Sequence, residues 1–232
     1  MARARTLILF GAGPGIGNHI AAAFASKGLH HIILLARNTQ RLENSDARFV
    51  SQASPDVKVD TLHIDLADLP SIPGILEQID SLTKDEDVEV VYFNAARIKS
   101  SEVLQADVGE IEEDLKTTTL SLYTIAQHFL PKLQSLAQSN TSLKPSLLVT
   151  NSHLPWDPVP ELLSLSLVKA AQRNMVQSLH RAFSGKGVQV GLVNVEGEVK
   201  EENKVRNPRV IAEMAVGFWE SGKEGLEINV RE

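Results

Sequence analysis

The 232-residue chain contains no cysteine, which excludes disulfides, thiolate metal sites and a cysteine nucleophile, and leaves the redox compartment open. Aromatic residues are scarce at 5%, with two tyrosines and two tryptophans, so each tyrosine can be weighed singly as a proton donor. A basic excess is missing too: 23 Lys and Arg stand against 29 Asp and Glu, a formal net charge of -6. Without a positive field the chain is a poor partner for nucleic acid or an anionic membrane surface. Long hydrophobic runs are also lacking, and the first, TLILF in MARARTLILFGAG, is too short for a signal-peptide core or a membrane span. What these absences leave is a protein of small molecules, with no metal site expected and the cytoplasm as its expected compartment.

Hydrophobic residues make up 43% of the chain, enough for a sizeable core, and residues 1–232 read as a single domain. Aliphatic and β-branched runs at 6–10, 31–36, 57–64, 88–93, 146–151, 188–195 and 226–230 predict strands. Amphipathic stretches at 16–27, 39–52, 71–82, 102–138, 160–184 and 208–221 predict helices, the longest being two helices that meet near Lys116. This alternation predicts an α/β, Rossmann-type doubly wound fold, a seven-stranded parallel sheet with helices on both faces.

The segment LILFGAGPGIGNHIAAAF sets Gly11, Gly13, Gly15 and Gly17 between the first strand and a helix. Glycines there let the chain turn tightly and let its backbone approach a pyrophosphate, whose charge the helix N-terminus stabilises. The G-x-G-x-x-G spacing is not met, because Ile16 takes the third glycine's place; G-x-x-x-G-x-G is met through Gly11, Gly15 and Gly17. Strand, loop, helix and second strand follow in the order that nucleotide binding requires. The second strand ends in Ala36 and Arg37, where an NAD site would carry a carboxylate for the ribose hydroxyl. A guanidinium suits a 2′-phosphate, so NADP(H) is the expected cofactor.

With GAGPGIG, the HIDLAD segment after the third strand and FNAAR after the fourth, the sequence resembles the short-chain dehydrogenase/reductase family over nearly its whole length. The resemblance implies that Asp65 approaches the adenine amino group, that Leu66 lines its pocket, and that Asn94 and Ala95 steady the central strand beside the cofactor. It also implies a catalytic serine, tyrosine and lysine, with an asparagine on the preceding long helix. Ser152 ends the fifth strand; thirteen residues later stands Leu165, and four beyond it Lys169. By the same resemblance Lys169 would bind the nicotinamide ribose. Leucine can neither give nor take a proton, so the expected tyrosine is absent, Thr118 falls at the asparagine position, and the family's Pro-Gly after the sixth strand is replaced by NVEGEVK.

Between Ser152 and Leu165 lies the rim HLPWDPVPELLS. His153, Asp157 and Glu161 could move protons there, and Trp156 could cover a flat substrate. The catalytic candidates are therefore Ser152, Lys169, His153 and Asp157. Three readings stay open: an atypical NADP(H)-dependent oxidoreductase acting on a small carbonyl or enone-type metabolite; a non-redox isomerase, dehydratase or cyclase; and a catalytically silent NADP-binding protein. Apolar residues on the long helices, Leu120, Leu122, Ile125, Leu163, Leu167 and Met175, exceed what one sheet face needs and predict a homodimer or homotetramer.

Overall fold

Seven strands, β1 (Arg5–Phe10), β2 (His31–Ala36), β3 (Lys58–His63), β4 (Asp87–Phe93), β5 (Ser146–Ser152), β6 (Gln189–Val195) and β7 (Glu227–Val230), form one sheet in the computed structural model, which describes residues 3–100, 102–222 and 225–232. The order is β3-β2-β1-β4-β5-β6-β7 and every pairing is parallel. Eight α-helical segments connect them: α1 (Ile16–Ala25), α2 (Thr39–Arg41), α3 (Ala47–Ala53), α4 (Ile72–Leu82), α5 (Val108–Leu115), α6 (Ser121–Ser139), α7 (Leu163–Phe183) and α8 (Pro208–Ser221). Two π-helical turns, Leu42–Asp46 and Lys116–Leu120, join α2 to α3 and α5 to α6.

Side chains alternate across a strand, and β1 shows what that does here. Leu7 and Leu9 enter an apolar layer with Ile20 and Phe24 of α1, Val50 of α3 and Ile211 of α8. Ile8 and Phe10 enter the opposite layer with Leu76 of α4, Phe129 of α6 and Val176 of α7. A strand covered on both faces has no polar alternation, and this is why β1 and β2 read as near-continuous apolar runs. Strand order reverses between β1 and β4, and in open α/β sheets the crevice at such a point, beyond the carboxyl ends of the strands, is where ligands bind.

Two expectations are corrected and one is met. The helix predicted from residue 102 begins only at Val108, because Asp107 caps it by accepting a hydrogen bond from Gly109 N; Val103 and Leu104 before it are exposed. The expected meeting of two helices near Lys116 is found, with α5 ending at Leu115, α6 beginning at Ser121 and a π turn between them. Leu122 and Ile125 are wholly buried in the core and Met175 packs against it, so the long helices expose only part of the apolar set, Leu120 and Leu167 with Tyr123. Among the described residues no helix is long and apolar enough to cross a membrane.

Candidate functional site

The ends of β1 and β4 touch at the reversal of strand order. Gly11 has φ of 92°, and a Cβ there would lie 2.6 Å from Ala95 N. A Cβ on Gly17 would lie 2.7 Å from Gly11 O. Both glycines are thus demanded by the protein's own packing. Gly13 and Gly15 are not: a Cβ on Gly13 would make an ordinary contact of 3.5 Å with Arg41, and one on Gly15 would meet nothing within 4 Å. Their missing side chains instead keep the backbone open at the mouth of α1, where Ile16 begins the helix and unpaired N–H groups favour an anion.

Asn94 fastens this junction. Its Nδ2 donates to Gly11 O (3.1 Å), its Oδ1 accepts from Thr150 Oγ1 (2.8 Å) and its backbone N donates to Phe10 O (2.8 Å). Three strand ends are held by one side chain and its amide. Beside it opens a cleft of about 330 Å³. Of the residues singled out in the sequence, Gly11, Arg37, Leu66, Asn94 and Ala95 form its walls, together with Asn38, Arg41 and Thr117, which sequence reasoning missed. Asp65 is not a wall residue; its carboxylate accepts from Ala67 N and shapes the turn that places Leu66. Arg37 is exposed and has no hydrogen-bond or ion-pair partner among the described residues. The walls, with apolar Ile64 and Leu66 for a flat base and a spare guanidinium, thus suit the adenosine end of a dinucleotide; Gly13, Gly15, Ile16 and Gly17, at the mouth of α1, lie outside these walls.

A Gly11→Ala variant should lose about 2–5 kcal/mol of stability, from its positive φ and its overlap with backbone, read as a lowered denaturation midpoint. Gly13→Ala should stay within about 1 kcal/mol of the parent while weakening dinucleotide binding. Equal loss of stability in both variants would refute this division of roles.

The other half of the site lies at the ends of β5 and α7. Ser152 Oγ accepts from Leu154 N (3.3 Å), and its hydroxyl hydrogen has no acceptor among the described residues. His153 Nδ1 is buried without a partner among them. Asp157 is exposed at the rim. Trp156, expected over a substrate, instead stands over the Arg173 guanidinium at 5.5 Å, and Arg173 in turn holds Glu227 of β7 at 2.9 Å. The ring is drawn to that cation by its quadrupole. Glu161 is exposed in the turn that leads into α7.

Lys169 is enclosed, with 4% of its surface exposed. Its Nζ donates to Thr150 O (2.7 Å) and Gln172 Oε1 (3.2 Å). These two acceptors are backbone and amide oxygens, and no carboxylate pairs with the amine among the described residues. Burial accordingly pushes its ammonium down to about 7. Gln172 is oriented by giving Nε2 to Thr118 O (2.8 Å), in the π turn, and by receiving Asn151 Nδ2 (3.1 Å). Leu165, one helical turn before Lys169, is 6% exposed and packs with Leu154 and Val168. Tyr92 belongs to the layer on the α1 side of the sheet, where burial raises its phenol, and Tyr123 is half-exposed on α6.

The family model of the short chain dehydrogenase matches residues 5–203. A curated relative, the NADP-dependent 3-hydroxy acid dehydrogenase of Schizosaccharomyces pombe, is 29% identical over 129 residues, which is 55% of this chain and 48% of the relative. The chain spans about half the length of the curated relatives it matches. Among solved structures, a metagenomic short-chain oxidoreductase in complex with NADP has a TM-score of 0.83 at 18% identity, covering 99% of this chain and 97% of that one. An NADPH-bound short-chain oxidoreductase of Pseudomonas aeruginosa PAO1, containing an atypical catalytic center, has a TM-score of 0.80 at 20% identity, covering 98% and 95%.

Proposed function

We propose, from the premise that this chain belongs to the short chain dehydrogenase family, that it is an NADP(H)-linked oxidoreductase of small carbonyl or enone-type metabolites whose proton donor is not a tyrosine. The observation that carries this reading is the cleft at the β1–β4 junction, with the unpartnered Arg37 on its wall. A 2′-phosphate would pair with that guanidinium, and no acid of β2's end stands there to repel it. The NADP-bound state of the similar structures supports the same cofactor. When bound, NADPH supplies the hydride. The Gly11–Gly17 loop and the first turn of α1 would hold the pyrophosphate, Leu66 would line the adenine pocket, and Asn94 with Ala95 would keep the floor rigid.

Ser152 offers its spare hydroxyl hydrogen to the substrate oxygen, which stabilises the charge that develops there. Lys169 supplies the proton, since an ammonium brought down to about 7 suits a donor at neutral pH. His153 and Asp157 line the rim and are secondary candidates for the same task. A homodimer or homotetramer, joined through the exposed Leu120, Tyr123 and Leu167, is part of the proposal. The second reading, NADP binding without turnover, draws on the enclosure of Lys169.

Mixing the protein with NADPH and panels of ketones and enones, and following nicotinamide absorbance, separates these readings. Turnover with at least one substrate class is expected, falling about 10²-fold or more in Lys169→Met. Tight binding with no turnover would leave the silent reading, product formed without cofactor consumption would mark non-redox chemistry, and absence of binding would end the nucleotide reading.

A further inference from the structure

One cluster beside the cleft has no part in the chemistry above: buried Asn18 and Asp46 with Arg41 of the cleft wall. Asp46 is wholly buried, at the end of the π turn Leu42–Asp46, a distortion found often at functional sites. One of its carboxylate oxygens accepts from Arg41 Nε (2.9 Å) and the other from Asn18 Nδ2 (2.8 Å). The chain then closes on the glycine loop, where Arg41 Nη2 donates to Ala12 O (2.8 Å) and Gly13 N donates to Asn18 Oδ1 (3.0 Å). A carboxylate removed from water is costly unless it is fully paired, and here both oxygens are taken.

Arg41 faces the cleft with 35% of its side chain exposed, on the same wall as Arg37. A guanidinium has five N–H donors. Asp46 and Ala12 take two of them, which leaves three for a ligand. Arg41 is thus a tethered fork, whereas Arg37 is free. The tether matters because a long side chain that is already ordered loses less freedom on binding.

We infer that Asp46 is a positioning residue that holds Arg41 as the second arm of a two-guanidinium clamp, with Arg37 as the first, for a phosphomonoester on the adenosine end of the nucleotide. The inference rests on the cofactor reading above. The buried carboxylate offsets the formal charge of Arg41, so Arg37 supplies the longer-range attraction and Arg41 supplies directed hydrogen bonds. Asp46 reaches the ligand only through Arg41, and its effect must appear as a change in preference between NADPH and NADH.

Calorimetric titration of the full chain with NADPH, NADH and 2′,5′-ADP tests this. Arg37→Ala and Arg41→Ala should each weaken NADPH and 2′,5′-ADP by about 10- to 100-fold and leave NADH within about twofold. Asp46→Asn should lower the NADPH preference in the same direction as Arg41→Ala, add little to it in the double variant, and be partly rescued by Asp46→Glu. Should Asp46→Asn or Arg41→Ala not fold, Arg41→Lys, which keeps a cation beside the carboxylate and lacks the fork, decides by the same loss of NADPH preference. Equal weakening of NADPH and NADH by Arg41→Ala and Asp46→Asn would show a brace for the glycine loop and overturn the clamp, as would tighter NADPH binding once the carboxylate is gone. If Arg37→Ala alone removes the preference, the clamp fails while the cofactor reading stands; if the parent binds neither dinucleotide, both fail.

Discussion

Replacing Lys169 with methionine is expected to make the stability difference between variant and parent depend steeply on pH. Methionine is similarly long and unbranched, so the change removes chiefly the titrating group and the two hydrogen bonds to Thr150 O and Gln172 Oε1. The lost bonds cost about 1–3 kcal/mol for each acceptor left buried, at any pH. The titrating part behaves differently. In the unfolded chain the amine takes its proton near the ordinary 10.5, whereas in the folded chain burial lowers this to about 7. Above both values neither state is charged and the lysine carries no electrostatic penalty. Between them the unfolded state binds more protons, so the parent gains stability as pH rises, by up to about 1.4 kcal/mol per unit. Below about 7 the penalty is complete, on the order of 5 kcal/mol as an upper figure.

Denaturant titrations of parent and Lys169→Met at several pH values between 6 and about 10 would read this directly. The parent should gain on the variant with rising pH, and all other titrating groups cancel in the difference. Parallel profiles would mean that the ammonium is compensated in the fold, and the donor role proposed for Lys169 would lose its physical basis. The same measurement bears on mechanism, because a lysine that releases its proton near neutrality can act as an acid at pH 7, and one that does not is only a fixed cation.

Much of the fold was legible because the sheet is covered on both faces. Runs such as HIILLA and the end of VEVVYF carry no polar alternation, and the predicted bounds agree with β2 and β4 to within one residue. The run 208–221 matches α8 from Pro208 to Ser221, where Asn207 caps by accepting from Val210 N and the following Gly222 has positive φ. Residues 102–107 misled, since Val103 and Leu104 mimic helical spacing while lying exposed; periodicity does not say which apolar residues find a partner. At the site, Gly11 and Arg37 were legible from the order of strand, loop, helix and second strand, and Leu66, Asn94 and Ala95 through the resemblance to the short-chain dehydrogenase/reductase family; all five line the cleft. Arg41 and Thr117 were not. Arg41 immediately precedes one π turn and Thr117 lies within the other, and the direction of a side chain there depends on a distortion that no residue pattern announces. One signal was available for Arg41: Asp46, an acid in a mostly helical stretch, needs a cation when buried. Thr118 read as a lost asparagine, yet its backbone carbonyl anchors Gln172 and through it Lys169.

Leu165→Tyr is expected to raise carbonyl reduction by about 10²–10⁴-fold over Leu165→Phe, the span that a positioned general acid contributes. Positions 165 and 169 lie one helical turn apart and share a face, so a phenol at 165 would stand beside the Lys169 amine. An adjacent ammonium lowers a phenol's proton affinity and the phenolate raises that of the ammonium, so the two would titrate as a pair. The pH profile of kcat should therefore change shape along with its height. The larger ring must enter the cluster of Leu154, Leu165 and Val168, at a cost of about 1–3 kcal/mol from overpacking. Leu165→Phe carries that same cost without the hydroxyl, which is why it is the reference instead of the parent. If phenylalanine and tyrosine change the rate equally, repacking of the rim is responsible and Leu165 does not occupy a proton donor's place. If tyrosine alone raises it, the chain retains the hydride geometry and the serine, and the small rate of the parent measures what Lys169 achieves as donor without a phenol between it and the substrate.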